Sequence, residues 1–282
     1  MVARAADPTT APRPQRRRSP LHGLFPPQHG AWAFLALPLV LGGSRSGWSW
    51  LLLPLTVAWV AAYPFSWAAT GLLSAKRRQR FVRPAVVWGA LVVPLALLLV
   101  VLRPWLVWVG LVYVVLFAVN IGFARRHDER ALANDLVLIA EACLMVPLVV
   151  AVVDGDGGWT PPWDVVDSAP LVALTAVAAM TLVGSTLHVK SLIRERRNPR
   201  FTRLSQGFAV VCAPVVALAA VAGDGSVLGS ATGGAVLLGG AFAAFAVRTF
   251  LMPGRTWRPG RIGMIELAGF VVVAVAAVVV LG

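Results

Sequence analysis

One carboxylate inside an apolar run is the first residue of this sequence placed to do chemistry. Glu141 follows the polar stretch from Asn120 to Asp135, and Asn134, Leu138 and Glu141 stand at i, i+4 and i+7 on one helical face. Counted from Ala131, the carboxyl lies ~15 Å along the helix, near the middle of a hydrocarbon layer ~30 Å thick. A lone carboxylate at that depth has to be protonated, paired or reached by water. Two readings stay open: a neutral glutamate bonded to a neighbouring helix, or a residue lining a cavity. Asn120, Arg125, Arg126, Asn134 and Asp135 belong to the same candidate region.

A second group surrounds His188. Lys190, Arg194 and Arg197 repeat at i, i+4 and i+7, which predicts three cations on one face of a helical extension. Such a face could hold a phosphate or pyrophosphate head group. The commoner reading is a basic cluster touching lipid phosphates, with Glu195 paired to a nearby arginine and Asn198 closing the segment. His29 and Trp32 open the first apolar run, where a histidine could donate to an anion, although a His–Trp pair more often anchors a helix at the interface. Tyr63, Ser66 and Thr70 form a polar stripe suited to a cavity wall. The sequence has no P-loop, no Ser–His–Asp arrangement and no HExxH. Cys143 and Cys212 both fall in apolar runs, which excludes a CxxC redox motif, a zinc site and haem attachment.

The elements that carry these residues follow from composition. The 282 residues are 58% hydrophobic and only 13% charged, with mean hydropathy +0.78. Soluble chains carry roughly 25% charged residues. Nine apolar runs appear, at about 29–44, 48–73, 84–102, 105–124, 131–153, 169–189, 205–222, 227–251 and 262–281. The first is short and contains Pro38, so it reads as a tilted, kinked or partly re-entrant helix. The expected fold is therefore all-α, a polytopic transmembrane bundle of about nine helices.

Charge sets its orientation. With the N-terminus inside, every lysine and arginine except Arg45 and Arg103 falls in the tail or in an inner loop. Those inner segments are Lys76–Arg83 (with Arg77), Arg125–Arg130, Lys190–Arg203 and Arg248–Arg261. A missed span would reverse every later loop, so the asymmetry supports an odd number of crossings. Residues 1–22 read as a disordered basic tail drawn to anionic lipid rather than a signal peptide, and 23–282 as one transmembrane domain. The net charge of +13 lies against the membrane, and no aromatic-interleaved soluble module accompanies it, so nucleic acid is not an expected partner.

Residues 26–43 (PPQHGAWAFLALPLVLGG), Asn120 to Asp135 and His188 to Pro199 (HVKSLIRERRNP) together resemble the YwiC-like family of bacterial membrane proteins. The likeness spans most of the chain beyond the tail and implies a multi-pass protein of the bacterial plasma membrane. That family carries no assigned activity. A second resemblance is architectural. UbiA-type prenyltransferases also have nine helices with the N-terminus inside, and the Pro38–Gly42 and Arg125-Arg126…Asn134 patterns look similar to theirs. Those enzymes hold an isoprenyl diphosphate through Mg²⁺ on two Asp-rich motifs in the second-to-third and sixth-to-seventh helix loops. Here the corresponding loops contain no acid between Tyr63 and Pro84, and only Glu195 between His188 and Arg203. Hard Mg²⁺ needs oxygen ligands, so no cofactor is expected, and Mg²⁺ enters only with the enzyme reading. An anionic head group would have to be neutralised directly by Lys76, Arg77, Lys190 and Arg194.

Three functions follow as expectations. The first is a non-catalytic or transport-type bundle with an intramembrane cavity near Glu141 and Asn134 for an amphiphilic or anionic lipid-like ligand. Its partners would be membrane lipids, anionic head groups and an isoprenoid or quinone-like molecule. The second is a divergent prenyl- or lipid-transferring enzyme. The third is a small-molecule or proton-coupled transporter, with Glu141 as the coupling residue.

Overall fold

The computed structural model describes residues 23–26, 31–222 and 230–282. Its regular elements are helices: α1 (Ala31–Arg45), α2 (Leu52–Ser74), α3 (Gln79–Leu102), α4 (Leu106–Arg125), α5 (Leu132–Cys143), α6 (Met145–Asp154), α7 (Trp163–Val166), α8 (Ala169–Ile193), α9 (Pro199–Ala222), α10 (Ala231–Leu251) and α11 (Pro259–Leu281). Helices α5 and α6 together make one span, Leu132–Asp154. Among the described residues, eight spans are long and apolar enough to cross a membrane, and the ninth apolar helix, α1, is shorter. Its 15 residues rise only ~22 Å, below the ~30 Å of a hydrocarbon layer. The tail of residues 1–22 and the candidate His29 lie outside the described residues.

Several helices run past their apolar runs at the basic ends. Helix α3 begins at Gln79 rather than 84, α8 continues to Ile193, and α9 starts at Pro199. Hydropathy marks where lipid ends, whereas arginine, lysine and glutamine are good helix formers that continue the coil into the head groups. Proline at the first position suits α9 and α11, because the amide hydrogen it lacks would be unpaired there anyway. The α5–α6 span breaks at Leu144 for the opposite reason. Pro147 sits inside the helix, cannot donate to the Cys143 carbonyl and crowds it.

Helix α8 is the centre of the bundle and touches α1, α5, α6, α9 and α11. Leu171, Leu174, Ala178 and Leu182 recur at helical spacing and are almost fully buried, against Leu41 of α1, Val146 of α6 and Val273 of α11. Helices α3 and α4 lie at the edge. Helix α3 buries only Phe81, Pro84 and Leu99, and α4 only Leu106 and Ala124. Val101, Val114 and Val115 stand exposed on them. In water such a surface would be an aggregation site; facing lipid, it matches its solvent.

The two ends of the bundle differ. At one, Gly47 N donates to Asp154 Oδ1 (3.2 Å), Arg103 Nε to the Val152 carbonyl (3.0 Å) and Trp108 Nε1 to the Trp159 carbonyl (3.2 Å). These bonds knit three connections into one cap. The opposite end carries the basic turns after α2, α4, α8 and α10, so the alternation expected from charge is reproduced by the packing.

Candidate functional site

The polar residues inside the bundle form three clusters, two of them on the basic end of α8. The first joins α8 to α5. Lys190 is buried, and its ammonium lies 2.5 Å from Asp135 Oδ2 while donating to the Arg130 carbonyl at 2.7 Å. Asp135 occupies the first turn of α5, where the positive end of the helix dipole also favours a carboxylate. Asn134, buried beside it, donates from Nδ2 to the Glu129 carbonyl (3.0 Å) and so clamps the turn between α4 and α5.

The second cluster sits two residues earlier on α8. His188 is fully buried, with Nε2 3.4 Å from Met252 Sδ and 3.9 Å from Glu266 Oε1. Glu266 of α11 receives a two-pronged bond from Arg248 of α10, Nε to Oε1 at 2.7 Å and the second prong to Oε2 at 3.0 Å. The guanidinium also donates to the Phe245 carbonyl and lies over the Phe245 ring. Gln206 of α9 donates to the Thr249 carbonyl at 3.2 Å, and Trp257 to that of Met252 at 3.0 Å. Four helices are thereby pinned at one level.

The third cluster lies between α4 and α5. Asn120 Nδ2 donates to Glu141 Oε1 at 2.7 Å, and the Tyr113 hydroxyl donates to the Glu141 main-chain carbonyl at 2.9 Å. That carbonyl lies in the last turn of α5, beside the break, where helix ends leave carbonyls in need of donors.

Several expectations change against this geometry. The face of Lys190, Arg194 and Arg197 does not form, because α8 ends at Ile193 and the chain turns before α9. Pro199 disfavours helix at Asn198, whose Oδ1 instead accepts from the amides of Arg200 (3.2 Å) and Phe201 (3.3 Å) and opens α9. Arg194 and Arg197 are exposed, whereas Lys190 is neutralised by Asp135 and cannot serve a ligand phosphate as a free cation. Glu195 accepts from Asn198 Nδ2 at 3.0 Å, an amide rather than the arginine expected. Ser66 Oγ bonds back to the Tyr63 carbonyl at 2.9 Å, so this hydroxyl serves its own helix. Asn134 and Glu141 do not share a wall either: Leu138 between them is 46% exposed. Lys76, Arg77, Arg125 and Arg126 are exposed on the turns after α2 and α4.

A spacious concavity lies elsewhere. A groove of about 530 Å³ runs between α1 and α2, lined by Trp32, Leu35, Leu39, Thr56, Val60 and Val149 among others. Trp32 also meets Tyr63 edge-on, centroids 5.5 Å apart. Among the described residues, no three His, Cys, Asp or Glu side chains gather where a metal ion could be held.

Arg248, Glu266, Met252 and Tyr113 are participants that sequence reasoning passed over. Glu266 carried the same signal that singled out Glu141, an acid inside an apolar run. Arg248 was hidden because it closes an apolar run and counts with the basic loop that follows.

These features define a multi-pass α-helical membrane protein. Residues 25–150 match the family profile described as "YwiC-like protein". The chain is 29% identical over 252 residues to "Uncharacterized protein YwiC" of Bacillus subtilis, covering 88% of this chain and 93% of the relative. It is 24% identical over 241 residues to an "Uncharacterized protein" of Haemophilus influenzae, covering 86% and 91%. The chain is thus similar to the YwiC-like family, by the profile over residues 25–150 and by the two relatives over most of its length. No solved structure matches it significantly.

Proposed function

We propose that this chain is a non-catalytic bundle that holds a lipid-like amphiphile, with the ligand's apolar chain in the groove between α1 and α2. The groove itself carries the reading. Its volume of about 530 Å³ falls in the range of small-molecule sites. From Trp32 to Gly43 it follows twelve residues of α1, a rise of ~16 Å, about half of a hydrocarbon layer and so one leaflet deep. Thr56 is the polar side chain within an otherwise apolar lining that suits an acyl, isoprenoid or quinone-like chain. On α2 the lining runs from Leu52 to Val60, so the groove lies toward the end of the bundle away from the basic turns. The positive-inside rule puts the basic turns in the cytoplasm of a bacterial plasma membrane, and the groove therefore in the outer leaflet.

Native mass spectrometry of protein released from its membrane tests the reading. Wild type is expected to carry a discrete amphiphile. Ala36→Trp, which fills the groove from an exposed position, is expected to weaken that binding at least about tenfold, ~1.4 kcal/mol, with thermal stability unchanged. Equal adducts on both proteins would overturn the groove. Release of diphosphate from a polyprenyl diphosphate, with or without Mg²⁺, would overturn the non-catalytic part.

A further inference from the structure

Among the described residues, Glu141 differs from Asp135 and Glu266, the other carboxyls held between helices. Asp135 has Lys190 and Glu266 has Arg248, each within 3 Å, whereas the bonded side-chain partner of Glu141 is a neutral amide, Asn120. It is also half-exposed, and the exposure opens on lipid: Leu138 and Leu144, one turn to either side on the same face, are 46% and 36% exposed. Starting from Leu132, its depth is ~13 Å, well inside the hydrocarbon layer. An unpaired charge there is costly, so a carboxyl in this position is placed to take up a proton.

The amide is suited to both protonation states. Asn120 Nδ2 donates to Glu141 Oε1, which serves the ionised form, while Asn120 Oδ1 is buried and without a hydrogen-bond partner among the described residues. A half-turn of the amide would present Oδ1 as acceptor to a protonated Glu141, and the two nitrogen- and oxygen-facing arrangements nearly superimpose. The backbone need not move, because the Tyr113 hydroxyl holds the Glu141 carbonyl in place.

Other titratable groups leave the site clear. On α4, Tyr113 is committed to the main chain; on α5, Cys143 is buried in the core and Asp135 is paired. On α8, Lys190 is paired with Asp135 and His188 faces Met252 and Glu266. Helix α1 offers only Arg45 and α6 only Asp154, both at the far end of the bundle.

We propose that Glu141 and Asn120 form a reversible proton-binding site that opens laterally to lipid beside the α5–α6 break. It stands apart from the amphiphile groove and does not depend on it.

Dicyclohexylcarbodiimide, an apolar reagent that reaches carboxylic acids from lipid, tests this on the full chain in liposomes. The acid's proton passes to one carbodiimide nitrogen and its oxygen bonds to the central carbon; the adduct then rearranges to a stable N-acylurea with no group leaving. Peptide mass spectrometry is expected to find the adduct at Glu141, falling by roughly tenfold per pH unit on the alkaline side of its titration. Glu266 and Asp135, both held in ion pairs, should stay unlabelled in the same sample. Glu141→Gln removes the adduct, and Asn120→Ala, which takes the donor from the ionised form, displaces the pH profile to the alkaline side. An adduct at Glu266 but not Glu141, or labelling of Glu141 that ignores pH, would overturn the proposal.

Discussion

Glu266→Ala is expected to lower unfolding stability by about 3–5 kcal/mol, the range for breaking a buried ion pair by removing one partner. Arg248 and Glu266 are 8% and 6% exposed, and their two-pronged bond joins α10 to α11. Without the carboxylate, the guanidinium keeps only the Phe245 carbonyl and ring, and its charge is left uncompensated in a low-dielectric interior. Arg248→Met alone strands the carboxylate instead, against a His188 whose Nε2 is 3.9 Å away. The double variant Arg248→Met/Glu266→Leu should recover most of the loss, because well-packed apolar residues often replace a buried pair at little cost. Denaturant titration in detergent reads all three. Equal losses for the single and double variants would show that shape, and not charge pairing, governs this contact.

Gly42→Leu should be the other severe change. A Cβ at Gly42 would meet the Val146 carbonyl oxygen at 2.6 Å and Val149 Cβ at 2.9 Å, and a backbone atom in α6 cannot swing aside. The expected cost is ~1–3 kcal/mol from overpacking, read as a lower midpoint in the same titration. Because Val149 also forms the back of the α1–α2 groove, pushing α1 away should spoil amphiphile binding as well. Gly43→Leu supplies the contrast. Nothing lies within 4 Å of its Cβ position, so stability should change by less than ~0.5 kcal/mol while the groove, which Gly43 also lines, is narrowed. Similar losses for both glycines would mean that α1 is not seated on α6 as described.

Hydropathy made the spans legible because each helix must hide its backbone from lipid within its own segment, leaving an apolar run of fixed length. The α1 run, with its short length and Pro38, was recognisable as exceptional for the same reason. Charge partners were not legible. The spacing of Lys190, Arg194 and Arg197 described a helix that in fact stops at Ile193, and no local pattern could announce that Lys190 finds Asp135 fifty-five positions away. Glu141 stood out as a lone acid, while its partner Asn120 became visible only once α4 and α5 were side by side. The groove likewise depends on how two helices diverge, a tertiary fact with no signature in either run.

The four basic turns are expected to share one compartment. Single cysteines at Lys76, Arg197 and Arg255, and at Gly47 and Asp164, can be tested with a membrane-impermeant maleimide in intact cells and after permeabilisation. The native Cys143 and Cys212 are buried and should contribute little background. The first three positions are expected to react only after permeabilisation, and the last two in intact cells. Lys76 and Arg197 reacting from opposite sides would contradict the alternation of spans, and with it the polar end on which Lys190, His188 and Arg248 converge.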